Sequence, residues 1–420
     1  MLKKSLEKVI LVHIDLYENE DINEDLNEFE QLATSAGAHV VTIITGKRIT
    51  PDPKYFAGSG KVEEIKQHIM VENANLVIFN HELTPAQERN LEKTLECRVL
   101  DRTGLILDIF AARARTFEGK LQVELAQLQH LSARLKRGWT HLERQRGGIG
   151  LRGPGETQLE EDRRVIKQKV SAIKKRLEKV RSQRQQGQRA RKRVPIPTVA
   201  LIGYTNTGKS TLFNQLTNAE VYVANQLFAT LDPTLRAINI PGFGKIILAD
   251  TVGFIRHLPH ELIESFKATL EETKDADLLL HVIDVTDSQN KEKIIAVNDV
   301  LSQIGANEVL QLQVQNKIDL LGENAPKPRI DYDVKEQPFR VLISAAKGKG
   351  IDELLLAIQI LLSQKMEEIE FSPLPQYASK IRANLYESGS ILEENIDDNG
   401  YMKLRIRVRT GELEKIFKLR

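Results

Sequence analysis

TVALIGYTNTGKSTLFNQL (198–216) decides the fold of the second half of the chain. TVALI is a short β-branched and apolar run and reads as a buried strand. Gly203-x4-Gly208-Lys209-Ser210-Thr211 follows it, and LFNQL continues with helical spacing. Strand, glycine loop and helix in that order are the context in which this pattern cradles phosphate. The glycines let backbone N–H groups turn inward around a β-phosphate. The expected wrap is Gly203, Tyr204, Thr205, Asn206, Thr207 and Gly208, closed by Lys209, Ser210 and Thr211. Lys209 neutralises β- and γ-oxygens, and the Ser210 hydroxyl suits Mg²⁺.

Three further motifs follow in order. Strand KIILAD ends in Asp250 and gives DTVG, residues Asp250, Thr251, Val252 and Gly253. Asp250 is expected to hold Mg²⁺ through water, and the Gly253 N–H to bond the γ-phosphate, so that the next segment senses hydrolysis. LFATLDPT (227–234) lies between these motifs. Phe228, Ala229 and Thr230 are placed at the nucleotide, with Thr230 the expected Mg²⁺ ligand and Thr234 the second choice. NKID (316–319) then reads a purine. The Asp319 carboxylate can accept both N1–H and the 2-amino group of guanine, whereas adenine offers neither donor. Asn316 can reach the imidazole edge, the Lys317 stem can cover the ring, and Ser344, Ala345 and Ala346 of SAAKGKG stand where a backbone amide meets O6. The ligand is therefore GTP or GDP with Mg²⁺, and Lys209, Thr230, Gly253 and Asn206 are the catalytic candidates.

The residue after Gly253 is Phe254, where small GTPases carry a glutamine that orients the attacking water. A phenyl ring cannot do this, so hydrolysis by the isolated chain should be slow. Two remedies stay open. A partner can order the switch segments or supply a polar group, or Asn206 can help bind K⁺, whose charge would stabilise the transition state.

The net charge of +2 hides an asymmetry. Residues 134–193 hold 20 Lys/Arg against 6 Asp/Glu, a local +14, which leaves −12 on the remainder. Such a segment points to a localised polyanion. Within 105–186, Leu121, Leu125, Leu128, Leu135, Trp139 and Leu142 follow heptad spacing, as do Leu159, Ile166, Val170, Ile173, Leu177 and Val180. Two such seams predict an antiparallel helical hairpin with arms roughly 33 Å long at about 1.5 Å per residue. Its tip, RQRGGIGLRGPGETQLEED (144–162), is expected to be non-helical. Arg144, Arg146, Gly147, Gly148, Arg152, Gly153 and Gly155 are its candidate RNA contacts, because glycines allow close approach and arginines bind phosphate or stack on bases. Glu156 and the acidic 160–162 run should start the second helix.

Around these segments the chain divides into an N-terminal parallel α/β domain (1–104), the arm (105–194), a Ras-like P-loop GTPase domain (195–365) and a small C-terminal α+β module (366–420). In the first, VILVHID, HVVTIIT, LVIFN and CRVLD alternate with amphipathic stretches. GSGK (Gly58–Lys61) there is a glycine turn before a helix, weak as an anion site. The segment 181–197 reads as a basic linker, and Asp-Asn-Gly in the tail as a hairpin turn. A single cysteine, Cys97, fits a reducing cytoplasm, and no apolar run approaches the ~18 residues of a membrane span.

FAGSGKVEEI (56–65), RGGIGLRGPGETQLEEDRR (146–164), GYTNTGKST, FATLDPT, DTVGFIRHLP and NKID together resemble the HflX family of translation-factor-class GTPases. The glycine-rich stretch is the most specific of these, since generic GTPases lack it. The resemblance implies the four-part architecture, binding to the 50S ribosomal subunit and its 23S rRNA, ribosome-stimulated hydrolysis, and splitting of stalled ribosomes. It implies an arm that enters the peptidyl-transferase region and, in some members, ATP binding by the N-terminal domain. A cytoplasmic monomer is expected. A GTP-gated assembly or RNA-processing factor is the alternative.

Overall fold

The computed structural model describes residues 7–16, 22–137, 154–192, 196–217, 227, 228, 230, 231, 234–256, 273–364, 366–373, 375–388, 391–396 and 401–409. The chain forms two compact units. The first comprises Met1–Glu178 with Gln226–Phe228 and Leu258–Phe266, and the second holds the rest.

In the first unit, β1 (Lys8–Asp15), β2 (His39–Lys47), β3 (Leu76–Phe79) and β4 (Arg98–Leu100) form a sheet of order β2-β1-β3-β4. Every pair is parallel, as the alternation of strands and helices predicts. VILVHI of β1 is apolar apart from His13 and buried throughout, as a central parallel strand covered on both faces must be. The covering helices are α1 (Ile22–Ser35), α2 (Ser59–Glu72), α3 (Pro85–Leu95) and α4 (Arg102–Arg113). Helix α3 opens with Thr84 and Gln87 in a reciprocal capping box and Pro85 in its first turn. At α4, the buried Asp101 carboxylate accepts the Gly104 N–H at 2.7 Å. GSGK is the turn into α2: Gly58, at φ +89°, caps it, and the Lys61 ammonium is paired with Glu64 in the same helix.

Glu88, in the first turn of α3, is pushed up to about 7 by burial, although Arg134 Nη1 lies 2.7 Å from it. Desolvation outweighs the ion pair here, and the neighbouring Asp101 adds to the rise. The folded protein thus keeps a proton that the unfolded chain releases near 4.5, so this contribution to stability is complete below 4.5 and lost as pH rises through about 7. Glu88→Gln removes the titration. Its melting temperature, compared with that of the parent, should improve steadily between pH 4.5 and 7, and a difference that does not vary with pH would refute the assignment.

Helix α5 (Phe117–Arg137) and helix α6 (Pro154–Lys192) pack through Leu121, Leu125 and Ile173, with Leu128, Val170 and Leu177 at the margin. All six belong to the heptad seams. Two expectations need correcting. The stretch 154–162 is helical, so Gly155 lies in the first turn of α6 and not in a loop. Pro154 is pre-set for a first helical position, and the acidic residues after it suit the N-terminal end of the dipole. The presumed linker is helix as far as Lys192, because Arg, Gln and Lys are all good helix formers and Gly187 alone does not break the run. The other six candidate tip residues, Arg144, Arg146, Gly147, Gly148, Arg152 and Gly153, lie outside the described residues.

The second unit carries a seven-stranded sheet of order β10-β11-β9-β8-β5-β7-β6. Its strands are β5 (Thr198–Ile202), β6 (Thr234–Ile240), β7 (Gly244–Asp250), β8 (Leu278–Asp284), β9 (Gln311–Asn316), β10 (Arg329–Tyr332) and β11 (Pro338–Leu342). The five inner strands are parallel, and β6 and β10 add antiparallel edges. Helices α7 (Lys209–Thr217), α8 (Asn290–Ile304) and α9 (Ile351–Ser363) belong to the same unit. Leu212 and Phe213 of α7 and Leu354, Ile358 and Leu361 of α9 join the apolar side chains of β5, β7, β8 and β9 in one core.

The same unit ends in a three-stranded sheet of order β12-β14-β13, from β12 (Met366–Phe371), β13 (Ile391–Ile396) and β14 (Met402–Arg409), with helix α10 (Pro375–Ser388). β13 and β14 pair antiparallel, and the Asp-Asn-Gly expected to turn between them lies outside the described residues. Arg407 of β14 donates to the carbonyls of Gly242 and Phe243, which join β6 to β7, and its guanidinium lies over the Phe243 ring.

Candidate functional site

The parallel strands deliver the motifs to one edge of the sheet. The phosphate loop follows β5, DTVG begins at the last residue of β7, NKID starts at the last residue of β9, and SAAKGKG follows β11. In an open α/β sheet this carboxyl edge is where ligands bind.

In the phosphate loop, Gly203 (φ +142°), Asn206 (φ +61°) and Gly208 (φ +94°) adopt conformations that L side chains rarely take. Asparagine is the side-chain-bearing residue most tolerant of such a φ, which explains Asn206. A methyl built on Gly203 would lie 2.3 Å from the Val282 carbonyl, so only glycine fits there. Lys209 is buried and donates to the Gly203 carbonyl at 3.0 Å and the Tyr204 carbonyl at 2.6 Å. Burial lowers its pKa to about 8, against the opposing pull of Asp250. His281 of β8 stays neutral, lowered to about 4 by burial and by Lys209, and so does not compete for anions.

Three oxygens converge beside the loop. Ser210 Oγ lies 2.8 Å from both Thr230 Oγ1 and Asp250 Oδ2, and Thr230 Oγ1 lies 2.9 Å from Asp250 Oδ2. Asp250 Oδ1 is buried with no hydrogen-bond partner, and burial raises the pKa of this carboxyl. Two hydroxyls and a half-satisfied buried carboxylate are a hard-oxygen donor set, which fits a small divalent cation. Thr230 rather than Thr234 completes it; Thr234 is the first residue of β6 and pairs in register with Asp250. Thr251 Oγ1 donates to the Leu201 carbonyl at 2.6 Å, and Val252 is buried.

At the other end Asn316 ties three loops together. Its Nδ2 donates to the Thr207 carbonyl at 2.9 Å, and its Oδ1 accepts the Ala345 N–H at 2.9 Å. Asp319 accepts a short hydrogen bond from Ser344 Oγ. Ala346 is exposed beside this pair, and Thr211 is half-buried in α7. Phe228 is not among these side chains. It is buried in the first unit with its ring edge-to-face on Phe110. Ala229 lies outside the described residues.

Several contributors escaped sequence reasoning. Asp284, which ends β8, pairs with the Lys317 ammonium at 2.7 Å and so fixes the stem expected over the base. Its signal was an acidic strand end in register with Asn316 on the adjacent parallel strand. Arg256, Glu292 and Lys293 gather around Tyr204, itself an expected site residue, and the sequence offered no spacing rule for that meeting.

Three family models match in chain order: a GTP-binding GTPase N-terminal region over 23–111, a GTP-binding GTPase middle region over 113–191, and a 50S ribosome-binding GTPase over 198–317. The GTPase HflX of Escherichia coli K12 is 53% identical over 412 residues, covering 98% of this chain and 96% of that protein. The chain belongs to the HflX family of GTPases. It binds guanine nucleotide and hydrolyses GTP. GTPase HflX of Caldanaerobacter subterraneus is 48% identical across 95% of the chain and 90% of its own length. Among solved structures, the SsGBP–GDP complex is 27% identical over 85% of this chain and 99% of its own, with a TM-score of 0.49. Among the described residues no helix is long and apolar enough to cross a membrane.

Proposed function

We propose that this GTPase is a cytoplasmic switch that binds the 50S ribosomal subunit through 23S rRNA, acts in dissociation and rescue of stalled ribosomes, and hydrolyses GTP rapidly only there. The observation that carries the RNA part is the surface of α6. Ile166 and Ile173 are buried in the seam, while Arg164, Lys167, Lys169, Lys174, Lys175, Arg176 and Lys179 are all exposed. A row of cations on one long helix matches a phosphate backbone and releases its counterions on binding. The 50S ribosome-binding description of the matched GTPase model supports the same partner.

In the nucleotide site, Lys209 and the phosphate-loop amides hold the β- and γ-phosphates, and Asp319 reads the guanine edge. Ser210, Thr230 and Asp250 would hold Mg²⁺, which supplies charge neutralisation of the phosphate oxygens when bound. The Gly253 N–H is the proposed γ-phosphate contact. Phe254 is 3% exposed and has no polar side-chain atom, so it does not position water. The missing group therefore comes from the ribosome or from K⁺ held with the help of the exposed Asn206.

GTP turnover with and without 50S subunits, each in K⁺ and in Na⁺ buffer, tests the scheme beside co-sedimentation in a non-hydrolysable GTP analogue. We expect co-migration with 50S particles that weakens steeply with salt, and turnover raised at least tenfold by subunits. Absence from both 50S and 70S fractions would end the ribosomal reading. Equal rates in K⁺ and Na⁺ would end the role given to Asn206. Migration with immature particles alone would favour an assembly factor.

A further inference from the structure

Tyr204 fills the first variable position of the phosphate loop, and nothing in hydrolysis calls for a phenol there. The residue is 5% exposed. Its hydroxyl accepts the Arg256 N–H at 2.8 Å, and its ring carries the Lys293 ammonium 5.1 Å from the centroid. The Arg256 guanidinium is paired with Glu292, the neighbour of Lys293 on α8, and Lys293 is paired with Asp287. The backbone reinforces this contact. Thr205 N–H donates to the Phe254 carbonyl at 2.8 Å, and Phe254 N–H donates to the Gly203 carbonyl at 3.1 Å. Gly203–Thr205 of the phosphate loop and Phe254–Arg256 are thus joined by these three hydrogen bonds, and the Tyr204 bond uses a side chain.

This closure brings Gly253 down onto the loop. A methyl built on it would lie 2.9 Å from Thr205 Cγ2 and 3.1 Å from Lys209 Nζ. A γ-phosphate must reach the same ammonium and the Gly253 N–H, so it has to enter where even one added methyl would be crowded. A β-phosphate, held by the loop amides and Lys209, makes no demand on Gly253.

We propose that Tyr204 is a positioning residue that sets the preference between guanosine diphosphate and triphosphate. Its hydroxyl latches the Gly253–Arg256 backbone against the phosphate loop, a closed arrangement compatible with the diphosphate that the γ-phosphate must open. The inference rests on the proposed role of Gly253 at the γ-phosphate.

Tyr204→Phe removes the oxygen and keeps the ring beneath Lys293. Dissociation constants of fluorescent GDP and of a fluorescent non-hydrolysable GTP analogue should be measured on the parent and the variant. The GTP-to-GDP ratio of constants is expected to fall about three- to tenfold, the worth of one neutral hydrogen bond, with GDP moving less than about twofold. An unchanged ratio, or both nucleotides weakened alike, would overturn the latch. Hydrogen exchange on the unmodified protein gives a second reading. The Arg256 and Phe254 amides should be protected with GDP and exchange faster with the analogue. Equal protection in both would also overturn it. Faster exchange together with an unchanged ratio would leave the proposed Gly253 contact standing and remove Tyr204 alone.

Discussion

Asp319→Ala is expected to weaken GTP and GDP binding by roughly two to four orders of magnitude. The side chain is half-buried at the end of the NKID motif, and Ser344 Oγ hydrogen-bonds one carboxylate oxygen. That bond limits rotation, so the carboxylate is presented in a fixed plane. Two charge-assisted hydrogen bonds to N1–H and the 2-amino group would each be worth about 1.5–3 kcal/mol. Their sum is roughly 3–6 kcal/mol, which converts to that range of affinity. Inosine nucleotide isolates one of the bonds, because it keeps N1–H and lacks the 2-amino group. The parent should prefer GDP to IDP by about tenfold or more, and the alanine variant should not distinguish them. Fluorescence titration measures both. An affinity for GDP within about tenfold of the parent would show that this carboxylate does not read the base.

The second large effect is expected at Asn316, for a different reason. Both functional atoms of its carboxamide are spent on the protein, one on the Thr207 carbonyl and one on the Ala345 N–H, and the residue is 2% exposed. Gly208 leaves the room for it: a methyl there would fall 2.4 Å from Asn316 Nδ2. Asn316→Ala strands two buried backbone groups at about 1–3 kcal/mol each. A total of roughly 2–6 kcal/mol is a large share of the 5–15 kcal/mol typical of a whole domain. The melting temperature of the unit should fall by about 5–20 °C, at the usual 2–4 °C per kcal/mol for a unit of this size. Affinity should fall with it for every guanine nucleotide, because phosphate loop and base loop lose their common support. Asn316→Asp keeps an acceptor for Ala345 and loses the donor to Thr207, so it should fall between. A melting temperature within about 2 °C of the parent in the alanine variant would refute the tie.

The parts of the site that could be read from the chain were those whose chemistry is fixed by local order. GYTNTGKST stands between a strand and a helix in the order that suits phosphate, and NKID and DTVG sit at strand ends, where the sheet lines them up. Thr230 was separable from Thr234 only once β6 was visible, because Thr234 begins a strand. β6 and β10 themselves were missed, since half-exposed edge strands lack the continuous apolar run of β8. The two seams of the arm were legible, but the extent of α6 was not. Glycine and proline near 153–155 and a polar run after 181 suggested breaks where good helix formers prevailed. The Tyr204 cluster shows the other limit. Residues 204, 256, 292 and 293 meet only through the sheet order, and no spacing along the chain encodes that meeting.

The hairpin β6–β7 behaves like a tuning fork clamped at its stem. Asp250 ends one tine and Thr234, four residues after Thr230, begins the other, while the stem at Gly242 and Phe243 is gripped by Arg407. Seven paired residues span six rises of about 3.4 Å, which puts the two ends of the pairing roughly 20 Å apart. The Arg407 grip and the Asp250 carboxyl thus stand at opposite ends of one hairpin. A change in the C-terminal sheet would therefore reach Asp250 along the hairpin without touching the carboxyl itself.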